Sequence, residues 1–113
     1  MEKRIKELME TVVLAFPSKN KGEVSFNRRE LEPILRLYGF KVIAGEWKDY
    51  AIDHLQDRAV FSVFRRASEV PLYTIEKNPA NAQKQGAYSV IAAGGQILKR
   101  GHQLASVLKI LEK

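Results

Sequence analysis

Residues 58–77 read RAVFSVFRRASEVPLYTIEK, and this stretch decides the fold class. Two β-prone runs, Ala59 to Phe64 and Leu72 to Lys77, lie on either side of a short connection that ends in Pro71. β-Branched and aromatic side chains favour extended backbone, and a short connection joins neighbouring strands in an antiparallel arrangement. The stretch therefore predicts two consecutive strands of a β-meander.

Further strands are predicted on both sides of this pair. Residues 49–54 alternate in polarity, as a half-buried strand does. Residues 88–93 and 96–99 flank Gly94-Gly95, which indicates a hairpin because tight primed turns need positive φ. No interior helical segment after Tyr50 is long enough for a parallel crossover. The sequence therefore predicts an α+β fold with a mostly antiparallel sheet of about five strands.

A helix is predicted directly before the sheet. Asn27 and Glu30 have the spacing of a capping box, and an apolar stripe over residues 31–38 follows them. Pro33 either delays the start of this helix or kinks it, because proline removes a backbone hydrogen bond. Gly39 is a candidate for the C-terminal cap, since glycine readily adopts the left-handed conformation that ends a helix.

Two amphipathic segments lie near the ends of the chain. Residues 2–15 carry apolar side chains at helical spacing, and the polar, Pro- and Gly-containing residues 16–22 resemble a linker. Residues 104–111 predict a terminal helix whose apolar face covers the sheet. We therefore expect an amphipathic helix and linker over 1–22 and a single domain over 23–113. An N-terminal pair of helices and a C-terminal helix would pack on one face of the sheet.

Composition excludes several kinds of chemistry. The 113 residues are 45% apolar and 28% charged, which is typical of one globular domain. Because the chain contains no cysteine, disulfides, thiolate metal sites and cysteine nucleophiles are excluded. No apolar run approaches the roughly 20 residues of a membrane span, and the first residues lack the pattern of a secretory signal. We expect a cytoplasmic protein that does not insert into membranes.

The positive charge is distributed unevenly. The net charge is +6, and residues 58–113 contain nine Lys and Arg against three acidic residues, whereas residues 1–57 contain ten of each. Clustered positive charge attracts polyanions and releases their counterions, which favours an acidic partner and nucleic acid above all. The alternative is a soluble domain whose uneven surface charge has no function.

Cationic residues at strand ends and in one loop are the candidate nucleic-acid-binding residues: Arg65, Arg66, Lys77, Lys84, Lys99 and Arg100. The competing interpretation is that Arg65 or Arg66 pairs with Glu69. No cofactor and no metal are expected, since the two histidines are isolated in sequence. Strand alternation also separates His54 from the acidic residues that flank it.

Three functions remain open from the sequence. The first is a non-enzymatic binding module for nucleic acid or a nucleoprotein. The second is a protein-interaction or self-association domain that uses the helix over residues 2–15, which would make a homo-oligomer. The third is a small-molecule enzyme that combines an acidic residue with an arginine: Glu46, Asp49 or Asp53 with Arg65 or Arg66. Trp47 is expected in the core, with an exposed stacking role as the alternative.

Several long segments together resemble one known family of short alphaproteobacterial proteins, the domain of unknown function 2794. These segments are 27–31, 37–39, 45–53, 59–66, 69–73, 85–88 and 97–101, which include the sequences GEWKDYAID and AVFSVFRR. The resemblance covers most of the chain but not residues 1–22. It implies a bacterial cytosolic setting, and it brings no activity, ligand or catalytic residue.

Overall fold

The computed structural model describes residues 23–66 and 70–112. One helix precedes a five-stranded sheet, and a short helix follows it. The elements are α1 (Arg28–Ile43), β1 (Asp49–His54), β2 (Ala59–Phe64), β3 (Tyr73–Lys77), β4 (Tyr88–Ala92), β5 (Ile97–Gly101) and α2 (Leu104–Leu108). Single 3₁₀ turns occupy Pro79–Asn81 and Lys109–Leu111.

The strands form a meander in the order β1-β2-β3-β4-β5, and every neighbouring pair is antiparallel. This confirms the predicted five-stranded antiparallel sheet and the α+β class. The β4–β5 turn contains Gly94 and Gly95, and Gly95 has a φ of 88°, as the predicted glycine turn requires. The strand pairing shifts register between Val90 and Ile91, where β5 is irregular.

The pairing register divides the strand residues between two faces. Phe61 lies opposite Ile52 on β1 and Ile75 on β3, and this row faces the helices. Asp49 and Asp53 alternate with that row and lie on the other face. The core fills the space between the sheet and the helices. Its largest fully buried side chains are Phe26, Phe61, Ile34, Ile75, Val63, Val90 and Val107.

The start of α1 confirms the predicted capping box. The Asn27 side chain accepts a hydrogen bond from the Glu30 amide at 2.9 Å, and the Glu30 carboxylate accepts one from the Asn27 amide at 2.8 Å. Pro33 lies inside the helix, and Gly39 does not end it. The prediction that Gly39 is the cap was wrong, because burial of the residues around it carries the helix on to Ile43.

The segment before α1 is fixed to the rest of the domain by a backbone hydrogen bond and by a buried side chain. The Val24 amide donates to the Leu55 carbonyl at 2.9 Å, and Phe26 is buried in the core. In the described part of the chain, α1 is the only helix before the sheet. The structure therefore does not show the predicted N-terminal pair of helices, since residues 2–15 lie outside the described ranges.

Candidate nucleic-acid interface

The six predicted cationic residues separate into two groups because neighbouring strands run in opposite directions. Arg65 and Arg66 follow the last residue of β2, whereas Lys77 is the last residue of β3 and pairs with Ala59 at the beginning of β2. The six residues of β2 span about 17 Å. Lys84 belongs to the β3–β4 connection, at the same end of the sheet as Lys77.

Lys77 lies in a polar cluster that joins α1 to the sheet. Its Nζ donates to the Glu30 Oε1 at 2.9 Å and to the Ser25 carbonyl at 3.0 Å. The Tyr88 hydroxyl donates to the Glu30 Oε2 at 2.5 Å. One buried carboxylate thus ties the start of α1 to β3 and β4. Because Lys77 lies at the opposite end of the sheet from Arg65 and Arg66, we leave it out of the interface proposed below.

This cluster makes the stability of the fold sensitive to alkaline pH. Burial, and then the hydrogen bond and the charge of Glu30, raise the pKa of Tyr88 from 10.0 to about 12. The unfolded chain releases the Tyr88 hydroxyl proton at lower pH than the folded chain does. The stabilisation of the fold by Tyr88 is therefore complete below pH 10 and is lost as the pH rises towards 12. We expect the difference in unfolding free energy between wild type and Tyr88→Phe to narrow over this range.

Urea unfolding of both proteins across this pH range measures the difference, because contributions from other titrating groups cancel in the comparison. A difference that stays constant from pH 9 to the alkaline limit of folding would contradict the role given to Tyr88.

The remaining residues at this end of the sheet point in different directions. Arg100 pairs with Ser89 on the face away from the helices, and its guanidinium donates to the Gln85 side-chain oxygen. Lys99 pairs with Val90, whose side chain faces the helices. Lys84 is exposed on the adjoining loop. Lys84 and Lys99 are exposed, whereas Arg100 is half-buried.

The opposite end of the sheet brings cations together. Arg65 and Arg66 are exposed, and neither makes a hydrogen bond or ion pair with a residue that the structure describes. The predicted partner Glu69 lies in the undescribed range 67–69, so its pairing stays a prediction. The Lys48 amide donates to the Phe64 carbonyl at 2.8 Å, which places the exposed Lys48 beside Arg65.

A cavity of about 410 Å³ opens at the same end. Lys41, Trp47, Arg65 and Tyr73 are among the residues that line it. The Lys41 Nζ lies 3.2 Å from the Glu46 Oε1 and 6.0 Å from the centre of the Trp47 ring. We call Lys41, Lys48, Arg65 and Arg66 the basic end of the sheet.

The electrostatics of the basic end favour an anionic ligand. Two carboxylates, those of Glu46 and Asp49, belong to the same end of the sheet, and the Glu46 side chain is 55% exposed. The carboxylate of Glu46 is therefore well solvated, whereas the Lys41 side chain is only 10% exposed. A cation that is partly removed from water interacts more strongly with an incoming anion than a fully solvated one does.

The core position predicted for Trp47 is confirmed, since only 4% of the residue is exposed. Its ring packs near Tyr38 and Tyr73, with centroid distances of 6.3 and 6.4 Å. The indole therefore forms a wall of the cavity and has no free face on which a nucleobase could stack.

The structure brings together only part of the set of groups that the enzyme hypothesis combines. Asp49 and Asp53 lie on the face of β1 that points away from the helices, and His54 lies on the other face. Glu46 shares the cavity with Arg65, but Asp53 is near the far end of β1. Within the described ranges, no three His, Asp or Glu side chains are placed to hold a metal ion.

Lys41 and Lys48 were missed because they belong to the half of the chain that carries no net charge. A signal for Lys48 is nevertheless present. The pairing of Asp49 with Phe64 places residue 48 opposite residue 65, and this register follows from the position of the β1–β2 turn. Lys41 gives no such signal, because its place beside Trp47 depends on how α1 packs on the sheet.

The family model described as protein of unknown function (DUF2794) matches residues 24–108. The chain belongs to this family. The match extends from the segment that anchors α1 to the end of α2, so the whole described sheet and both helices belong to the family fold. The chain matches no curated protein and no solved structure. Among the residues that the structure describes, no helix is long and apolar enough to cross a membrane.

Proposed function

We propose that this domain binds nucleic acid without catalysing a reaction, and that the basic end contacts the phosphates. The observation that carries this proposal is that Lys41 and Arg65 line one cavity beside Lys48, while Arg65 and Arg66 have no partner among the described residues. Lysine and arginine side chains grouped in this way neutralise neighbouring phosphates and release condensed counterions. In agreement with the sequence analysis, the proposed setting is the cytoplasm of a bacterium.

The chemistry of the basic end favours contact with the backbone over the reading of bases. Arginine and lysine supply phosphate contacts, and the buried indole of Trp47 is not available for stacking. Tyr73 is half-buried at the cavity wall. We therefore expect weak sequence preference and strong dependence on ionic strength.

Fluorescence anisotropy with labelled single-stranded DNA, single-stranded RNA and duplex DNA tests the proposal. We expect a complex at low salt with a dissociation constant in the micromolar range. Four phosphate contacts would give a slope of log K against log salt of about −3.6 for duplex DNA and about −2.8 for a single strand. Polyglutamate of equal length is the control for unspecific attraction to a polyanion. Failure of all three nucleic acids to bind at tens of micromolar in low salt would contradict the proposal.

A further inference from the structure

An apolar groove runs between α1 and α2. It has a volume of about 630 Å³, and its lining includes Pro33, Leu37 and Phe40 of α1, Ala44 directly after it, and Ala105 and Leu108 of α2. Phe40 is 61% exposed, and Ile43 on the same side of α1 is 46% exposed. Exposed apolar side chains next to a groove are typical of a surface that binds another element.

The groove has the shape that accepts a helix. The α1 residues that line it are spaced three or four positions apart, so they form one stripe along the helix axis. From Pro33 to Ala44 this stripe is about 16 Å long. An amphipathic helix can lay an apolar face into such a groove through side chains at the same spacing.

We propose that residues 2–15 of the same chain form a helix that occupies this groove, antiparallel to α1. Their apolar stripe, which includes Ile5, Leu8, Met9 and Val12, has the required spacing. A helix over residues 2–15 is about 20 Å long, so it spans the groove of about 16 Å and extends slightly beyond it. This inference rests on the groove and on the sequence, and it is independent of the proposed function.

The position at which the described chain begins makes this docking possible. Val24 is fixed by its hydrogen bond to Leu55, and α1 begins four residues later. The near end of the groove, Pro33, lies about 7 Å along α1 from Arg28. The linker over residues 16–22 reaches at most about 25 Å. A short tether also gives the segment a local concentration in the millimolar range, which favours it over a second copy.

The length of the linker favours the antiparallel direction, because the far end of the groove, at Ala44, lies about 24 Å along the helix axis from Arg28, close to the full reach of the linker. The positive residues Lys3, Arg4 and Lys6 lie in the first half of the segment. In the antiparallel direction they approach the end of the groove that carries Glu46 and Glu112 together with Lys41 and Lys109, so the lining at that end has no net charge.

In the antiparallel direction the acidic residues of the segment also approach a residue of opposite charge. Glu7 and Glu10 then come to lie near Arg36, which lines the groove further towards the start of α1. The parallel direction would bring the cations of the segment towards this arginine, and like charges at that distance repel.

Cysteine cross-linking tests the proposal on the full chain, which contains no cysteine of its own. Met9→Cys lies on the apolar stripe of the segment, and Ala105→Cys lies at an exposed position on the wall of the groove. A short bifunctional maleimide should join this pair within one chain. The matched control combines Met9→Cys with Ala51→Cys, an exposed position on the sheet face that points away from the helices.

The expected result is a cross-linked monomer in at least fivefold higher yield for the Ala105 pair than for the Ala51 pair. Adding Phe40→Asp should remove most of this excess, whereas Ile97→Asp, at another exposed apolar position on β5, should not. Equal yields for both pairs would overturn the proposal. A covalent dimer as the main product would also overturn it, because the occupant would then be a second copy.

Discussion

Replacing Gly86 with alanine is expected to destabilise the domain by about 4 kcal/mol, a large part of the roughly 5–15 kcal/mol by which a domain of this kind is stable. Gly86 has a φ of 104°, and an added Cβ would lie 2.1 Å from the carbonyl carbon of Gly101 and 2.2 Å from its oxygen. Backbone atoms of β5 cannot move aside as the end of a flexible side chain can. Urea unfolding followed by the fluorescence of the buried Trp47 measures the loss.

Two other glycines serve as controls, because they distinguish the cost of a positive φ from the cost of the clash between an added Cβ and the Gly101 backbone. Gly95 also has a positive φ, but a Cβ there meets nothing within 4 Å, so Gly95→Ala should cost about 1 kcal/mol. Gly94→Ala meets neither problem and should be close to neutral. If Gly86→Ala were no more destabilising than Gly95→Ala, the packing of the β3–β4 connection against β5 described here would be incorrect.

Glu30→Ala is expected to lower the free energy of unfolding by about 3 kcal/mol. The substitution removes the hydrogen-bond acceptor of the Asn27 amide, the Lys77 ammonium and the Tyr88 hydroxyl. The Lys77 side chain is only 19% exposed, so its charge would keep a single protein partner, the Ser25 carbonyl. Urea unfolding of the purified variant measures the effect.

The matched control lies on the same helix. Glu32 pairs with Arg28 at 3.2 Å on the surface, and Glu32→Ala should cost less than about 0.5 kcal/mol. A second variant, Glu30→Leu with Lys77→Met and Tyr88→Phe, removes the whole cluster and should be less destabilising than Glu30→Ala alone. Equal effects of Glu30→Ala and Glu32→Ala would show that the cluster does not hold α1 to the sheet.

The sheet could be predicted from the sequence because its determinants are local. The β-prone run of residues 59–64 and the glycine turn at residues 94–95 specify antiparallel neighbours without reference to distant contacts. The capping box was found for the same reason, since its two members are three residues apart. The end of α1 was not found, because burial by the rest of the fold overrides the preference of Gly39 to end a helix.

The candidate site could be predicted only in part. Arg65 and Arg66 follow a strand that the sequence strongly predicts, so their position at a strand end could be predicted as well. The contact between Lys77 and Glu30 joins residues 47 positions apart, so no local sequence pattern predicts it. Consecutive antiparallel strands also end at opposite ends of the sheet. Cations at successive strand ends therefore separate, whereas cations at the start of one strand and the end of the next approach each other.

The most direct test of nucleic-acid binding at the basic end compares two double variants in the anisotropy assay across a range of salt concentrations. Arg65→Ala with Arg66→Ala removes two exposed cations from the basic end, and Lys84→Ala with Lys99→Ala removes the same charge from the other end of the sheet. We predict that the first pair weakens binding at low salt and makes the slope of log K against log salt shallower by about 2. The second pair should leave the slope nearly unchanged. Equal losses from both pairs, or a larger loss from the second, would contradict the account.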